Sequence, residues 1–548
     1  MNSVQVTESY WPADLTEPVL ETTCGGVLRS AAEQAPDAVA LMAGTPDPAA
    51  RRRIAYAELL TEAERAARAL LGRFVPGERV AVWAPNIPQW TILQFGAALA
   101  GMTLVTVNPL YRAQELRHVL GQSRAAGIFL VPAVRGVSIV DILDTVRPQL
   151  SALRERVLFT DWDTFCASGS PTEPLPAVDP GAAAQIQYTS GTTGFPKGAI
   201  IHHRGFTNNA RYVAAQLQIA PGDVVVNPMP LFHTAGSGCL TLAPMQMQAT
   251  QVLMPLFDPA LLLALNDGER GAILAGVPTM LYAALAHPDL TRRDLSSLRL
   301  AFSGGALVPP QLVHQVRHAL GIPFAIVYAQ TEASPVITGT RATDRPEDQA
   351  ETVGRPLPQT EVKIVDPATG HTAPLGHIGE ICTRGYHVMT GYFDNPEATA
   401  EAIDPQGWLH TGDLGSMDEQ GYCRIEGRVK EMIIRGGENI YPREIEMVLL
   451  EHPGVAEVAV VGVPDQRWGE QVAAFIRPTA DAQPAETELD AFCRQRLAGF
   501  KVPRFWPMVD AFPMTASGKV QKFALRERLT SDLRQTPAET DHPTPTNP

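Results

Sequence analysis

The sequence predicts an α/β protein, with a large N-terminal domain of layered α/β subdomains and a smaller α+β C-terminal domain. Three observations carry that expectation. The chain has 548 residues, too many for one compact core, and 45% of them are apolar, enough for a core in each of two domains. From 25 to 131 the apolar spacing alternates between a helical period and short β-rich runs bounded by Gly and Pro. Beyond 426–430 a fresh set of elements begins, sized for a separate small domain of roughly 100 residues.

Taken in order, Leu59, Ala63, Ala66, Ala67, Leu70 and Leu71 recur at helical spacing, and Val80 with Val82 and then 104–107 form β-rich runs. Helices follow over 89–100, closed by Gly101, and over 113–121. The stretch 160–180 is rich in Pro, Ser, Asp and Gly and reads as a loop. Buried strands are expected at 273–275, 298–302 and 325–328. In the small domain the pattern gives a helix at 442–451, strands at 457–463 and 472–477, and a helix at 486–497. The expected domains are 1–429 and 430–529, with a Thr-, Pro- and Asp-rich disordered tail at 530–548.

The bulk numbers exclude several classes. A net charge of −14, from 44 Lys and Arg against 58 Asp and Glu, argues against a nucleic-acid binder. Six cysteines lie scattered without CxxC pairs or a histidine spacing, which suggests neither a zinc site nor a disulfide framework and fits a reducing cytoplasm. The first 18 residues lack a signal pattern, and no apolar run reaches the roughly 18 residues of a membrane helix, so a soluble cytoplasmic protein without a membrane partner is expected.

The chemistry concentrates at 188–198, Tyr-Thr-Ser-Gly-Thr-Thr-Gly-Phe-Pro-Lys-Gly. Glycines Gly191 and Gly194 let backbone N–H groups turn toward an anion, the hydroxyls of Thr189, Ser190, Thr192 and Thr193 add donors, and Lys197 adds a charge. The order Pro-Lys-Gly is not the Walker A pattern, which disfavours a switch-type NTPase. Further on, Thr331 can donate to a phosphate oxygen and Glu332 can offer a hard oxygen to Mg²⁺, although the pair could equally cap a helix. Asp413 can accept two hydrogen bonds from a ribose diol or simply shape a turn. His233 lies in a Pro/Gly-bounded turn, and Lys519 follows Ser-Gly at a turn tip; alone, each reads as a structural or solvated residue.

These stretches, in this order, resemble the signature of the adenylate-forming enzymes: acyl-CoA synthetases, peptide-synthetase adenylation domains and luciferases. The resemblance spans nearly the whole chain. It implies ATP, Mg²⁺ on Glu332 and coenzyme A as second substrate, and a mobile C-terminal domain. Residue by residue, it implies that His233 lies beside the acyl substrate, and that Gly304, Gly305 and Ala306 pack on adenine with Tyr328 nearby. Arg428 partners Asp413 at the ribose, Lys430 is the hinge, and Gly436 and Gly437 line a thiol tunnel. Lys519 is the catalytic lysine that contacts carboxylate and α-phosphate, with Lys197, Thr331, Glu332 and His233 completing the adenylation site. Where the family has Gly-Met this chain has Ala329 and Gln330, which implies a small or polar acid.

The segment Arg-Gly-Gly-Glu-Asn-Ile-Tyr-Pro-Arg-Glu-Ile-Glu at 435–446 and the segment 107–116 resemble medium-chain and fatty-acyl-CoA ligases. The implied activity is an AMP-forming acid:CoA ligase of fatty acid or secondary metabolism, a homodimer being compatible with it. One alternative passes the adenylate to a carrier protein or an amine, or activates an unusual acid such as nitrite. Another is a non-catalytic nucleotide- or acyl-binding homologue.

Overall fold

The computed structural model describes residues 5–189, 196–436, 438–480, 482–514 and 520–535. The chain divides into two compact units, Met1–Thr411 with Gly415–Ile425, and Gly412–Leu414 with Glu426–Pro548.

In the first unit the alternating periods resolve as sheet and covering helix. A seven-stranded sheet runs in the order Gly391–Tyr392, Lys197–His202, Ala183–Thr189, Thr103–Thr106, Arg79–Trp83, Gly127–Leu130, Glu155–Leu158. Its interior strands are parallel, and Ala183–Thr189 turns back on Lys197–His202 as an antiparallel pair. The helix Pro88–Leu99 is buried all round, from Trp90 to Leu99, as expected of a helix between layers. It touches Tyr56–Leu71 through Gly96, where a Cβ would lie 3.0 Å from that of Ala66, so the glycine sets the closeness of the two helices. A nine-stranded sheet carries Ile273–Ala275, Leu300–Gly304 and Phe324–Ala329 side by side in parallel.

The sequence reading of 160–180 as a loop is corrected at its start, where Trp162–Ala167 is helical. Polar composition hides one apolar face: Trp162, Phe165 and Cys166 are buried, and the Phe165 ring lies 5.0 Å from that of Phe129. After His233 the backbone forms a π-helix, Ala235–Leu242, which apolar spacing does not signal.

The second unit holds a four-stranded sheet ordered Glu438–Ile440, Ile433–Arg435, Gly469–Pro478, Val455–Asp465, with helices Pro442–Leu450 and Glu486–Arg494 over a core of Ile445, Leu449, Leu489 and Trp506. The first two strands, of three residues each, were too short to be legible in the sequence. The helix Lys522–Gln535 carries regular structure past 529, where composition reads a tail; Leu525, 2% exposed, anchors it. At its start the Lys522 ammonium lies 2.8 Å from Glu446 and 3.0 Å from Glu431.

Candidate active site

The strand pair Ala183–Thr189 and Lys197–His202 places Thr189 opposite Lys197 in register, so both flanks of the Gly/Thr stretch are fixed by the ladder. The next strand, Gly391–Tyr392, pairs Tyr392 with Ala199. This brings the Tyr392 ring beneath the Lys197 ammonium, 5.1 Å from the ring centroid. Tyr392 then donates its hydroxyl to Glu332 Oε1 at 2.8 Å, and Thr189 Oγ1 donates to the same oxygen at 3.1 Å. Burial first, and the Glu332 carboxylate second, hold the Tyr392 phenol far above its usual range, so it remains a donor. Lys197, Thr189, Glu332 and Tyr392 thus form one cluster with a cation, two hydroxyl donors and a hard carboxylate. Ser190, Gly191, Thr192, Thr193 and Gly194 lie outside the described residues.

Glu332 comes from the 3₁₀ turn Thr331–Ala333 directly after Phe324–Ala329. Thr331 begins that turn. Its position is fixed by backbone bonds, Gln330 N–H to Pro335 O at 2.9 Å and Met389 N–H to Glu332 O at 2.8 Å. The Gln330 side-chain amide donates to Thr411 O at 2.9 Å and to Tyr328 Oη at 3.4 Å. Its amide N–H groups therefore serve the protein, which weakens the expectation that Gln330 itself marks a polar acid. Ala329 and Gln330 are half-buried and Tyr328 is buried.

On the neighbouring strand Gly304 and Gly305 are glycine for different reasons. A Cβ at Gly304 would meet Val327 O and Cγ2 at 2.7 Å, so strand packing by itself requires glycine there. Gly305 has φ +75°, a Cβ there would come no nearer than 3.9 Å to Val277, and it is exposed together with Ala306.

His233 is held by residues that the motif reading missed. Asn86, 6% exposed, takes the Leu231 N–H at 2.9 Å and donates to Met229 O and Met254 O at 2.9 and 3.0 Å. Thr106 Oγ1 donates to Phe232 O at 2.8 Å, and the Phe232 and His233 rings lie 4.4 Å apart. Asn86, Thr106 and Tyr392 lie far in sequence from the residues they orient, so only sheet register reveals them.

In the second unit Arg428 Nε lies 2.9 Å from Asp413 Oδ1, joining the two residues expected at a ribose. Asp413 is nearly enclosed, its side chain 8% exposed, and follows Gly412 at φ +68°. Lys430 is exposed in the 3₁₀ turn Val429–Glu431. Gly436, φ +61°, closes the hairpin between Ile433–Arg435 and Glu438–Ile440, where a Cβ would strike the Trp468 ring at 2.8 Å. Gly437 and Lys519 lie outside the described residues.

A model of the AMP-binding enzyme family matches residues 28–393, and a model of the AMP-binding enzyme C-terminal domain matches 444–519. YngI of Bacillus subtilis, which carries the name of an acyl-CoA synthetase, is 41% identical over 93% of this chain and 97% of its own. The mitochondrial medium-chain acyl-CoA ligase ACSF2 of Rattus norvegicus is 36% identical over 96% of this chain and 90% of its own. ATP-bound MatB from Rhodopseudomonas palustris superposes with a TM-score of 0.86 at 29% identity, over 93% of this chain and all of that one, 100%. The anthranilate CoA ligase AuaEII in complex with anthranoyl-AMP gives a TM-score of 0.85 at 27% identity, over 94% and 99%. Among the described residues, no helix is long and apolar enough to cross a membrane. With both family models matched along the chain and relatives of this kind aligned over nearly their full lengths, the chain belongs to the AMP-binding enzyme family, as an AMP-forming acid:CoA ligase.

Proposed function

We propose that this chain activates a medium-chain carboxylic acid with ATP and transfers the acyl group to CoA. The observation that carries the site is the convergence of Lys197, Thr189 and Tyr392 on Glu332. The substrate class rests on two relatives, an acyl-CoA synthetase by name and a medium-chain acyl-CoA ligase, aligned over 97% and 90% of their lengths. Gln330, engaged with Thr411 and Tyr328, no longer argues for a polar acid, and nitrite is not favoured.

In the first half-reaction a carboxylate oxygen attacks the α-phosphorus of ATP, the bond to the β-phosphate bridge breaks, and pyrophosphate leaves. Two anions must approach, so the site's work is chiefly electrostatic. Lys197 supplies a positive charge whose described neighbour is a ring face rather than a carboxylate, leaving that charge for phosphate. Thr331 offers a hydroxyl, and His233 lines the approach of the acid. Glu332 would hold Mg²⁺: it is a hard oxygen donor, held in place by two hydroxyls, and the ion would offset phosphate charge when bound. Gly304, Gly305, Ala306 and Tyr328 take the adenine, and Asp413 with Arg428 the ribose.

In the second half-reaction the CoA thiolate attacks the acyl carbonyl, the carbon–oxygen bond to AMP breaks, and AMP leaves. Lys519 serves the first step, and movement about Lys430 replaces it with the thiol passing Gly436 and Gly437. The small domain also keeps water from the mixed anhydride.

Pyrophosphate release is measured with ATP and Mg²⁺ across short, medium, long and aryl acids, with and without CoA. The expected result is turnover that needs CoA and peaks at medium chain length, with a thioester by mass. Release indifferent to CoA would overturn the acceptor. The variant Lys519→Ala is expected to stop adenylate formation while ATP binding persists; unchanged turnover would remove its assigned role.

A further inference from the structure

Away from the nucleotide cluster, the strand Gly379–Gly385 presents Glu380 and Cys382 on one face, two residues apart, and the strand Leu409–Met417 brings His410 against them. Among the described residues this is the one group of three such side chains whose ligand atoms all lie within 4.8 Å of one another. His410 Nδ1 lies 2.8 Å from Glu380 Oε2 and 3.5 Å from Cys382 Sγ. One ring nitrogen serves one of these neighbours well, since it is either a donor to the carboxylate or an acceptor from the thiol. A cation at the centre serves all three.

We propose that Glu380, Cys382 and His410 form a site for a borderline-soft divalent cation, zinc above all. The donor set of thiolate, imidazole and carboxylate is the one zinc prefers over hard cations. The spacing agrees: zinc–sulfur and zinc–nitrogen bonds of about 2.3 and 2.1 Å at a tetrahedral angle put those two atoms roughly 3.5 Å apart. That is the separation between Cys382 Sγ and His410 Nδ1. The Glu380 oxygen must back away by about half an ångström, a small rotation for a side chain 19% exposed. The other imidazole nitrogen, Nε2, faces Asp404 Oδ2 at 3.7 Å, the outer carboxylate that commonly orients a metal-bound histidine. His410 is 31% exposed on its side chain, which leaves an entry path and room for water as fourth ligand.

Two features limit the affinity. Burial pushes the Cys382 thiol up, so binding releases its proton to solvent. Lys363, the register partner of Cys382, holds its ammonium on the same face, 4.3 Å from the Trp408 ring centroid. Both point to a site that fills in a zinc-replete medium and empties under chelation.

The test is cobalt substitution of the reduced, untagged full-length protein, without nucleotide. The expected result is one cobalt equivalent with a near-ultraviolet thiolate charge-transfer band, lost on adding zinc. That band separates this site from the hard-oxygen site at Glu332, which has no thiolate. Cys382→Ser should remove it, Cys423→Ser should keep it, and Asp404→Asn should weaken cobalt affinity about tenfold. If Cys382→Ser does not fold, as read by circular dichroism, His410→Gln replaces it and must also lose the band. A wild type without the band under excess cobalt, or a band that survives in the folded Cys382 or His410 variant, overturns the site.

Discussion

Lys197 and Lys522 each carry one positive charge in a largely enclosed setting, and their surroundings differ in kind. Lys522 lies between Glu446 and Glu431, at 2.8 and 3.0 Å, and its side chain is 21% exposed. Lys197 has the face of Tyr392 beneath it, and among the described residues no carboxylate is in ion-pair contact with it. A lysine matched by two carboxylates has no charge left for a ligand and can only tie structure together. A lysine on an aromatic face is held in place without being neutralised, the condition an incoming phosphate requires.

Breaking each side of this contrast should give opposite phenotypes. Lys197→Met is expected to lower the adenylation rate by about 10²- to 10³-fold, while thermal unfolding stays within a few degrees of wild type. Lys522→Met should do the reverse. It leaves two carboxylates without their cation and should cost about 2–3 kcal/mol, below the full range for a buried pair because the lysine is partly exposed. Hydrogen exchange confined to the second unit would report it. Tyr392→Phe sharpens the comparison, since the ring stays under Lys197 and only the hydroxyl on Glu332 is lost. A drop of about tenfold in kcat/KM with unchanged stability is expected, and Tyr392→Leu should fall further.

The smallest effect is in pH. Burial lowers the Lys522 pKa, but Glu446 and Glu431 outweigh it, so the folded value lies above that of the free side chain. The contribution from the Lys522 proton is therefore fully present below roughly pH 10, the unfolded value, and is lost as pH rises through the higher folded value. Chemical denaturation of the second unit should be flat through neutral pH and decline above that limit; a decline beginning near pH 8 would contradict the assignment.

How much of this was legible in the sequence depends on whether the residues are contiguous. Thr331 and Glu332 follow a strand directly, and Thr189 and Lys197 flank a glycine-rich stretch, so local pattern finds them. Asp413 and Arg428 are also motif residues, and they pair at 2.9 Å. Tyr392 is different: a Gly-Tyr pair carries no local signal, and its part follows from pairing with Ala199 across the sheet. Asn86 and Thr106 are likewise ordinary residues until register brings them to the His233 turn. The cysteine spacing gave no hint of a metal, because Cys382 and His410 stand on two strands 28 positions apart. The helix Trp162–Ala167 was hidden by its polar neighbours, and the packing of Gly304 against Val327 follows from strand pairing that local pattern does not show.

Gln330 has a consequence for how easily this enzyme could drift toward other acids. Its amide bridges Thr411 O and Tyr328 Oη, so replacing it with the family's methionine would remove a donor from a half-enclosed carbonyl, at a cost of about 1–3 kcal/mol. A single substitution at this position would therefore meet that loss of stability before any change in acid choice. The glutamine thus ties the residue after the Phe324–Ala329 strand to Thr411, a tie that any substitution there must replace.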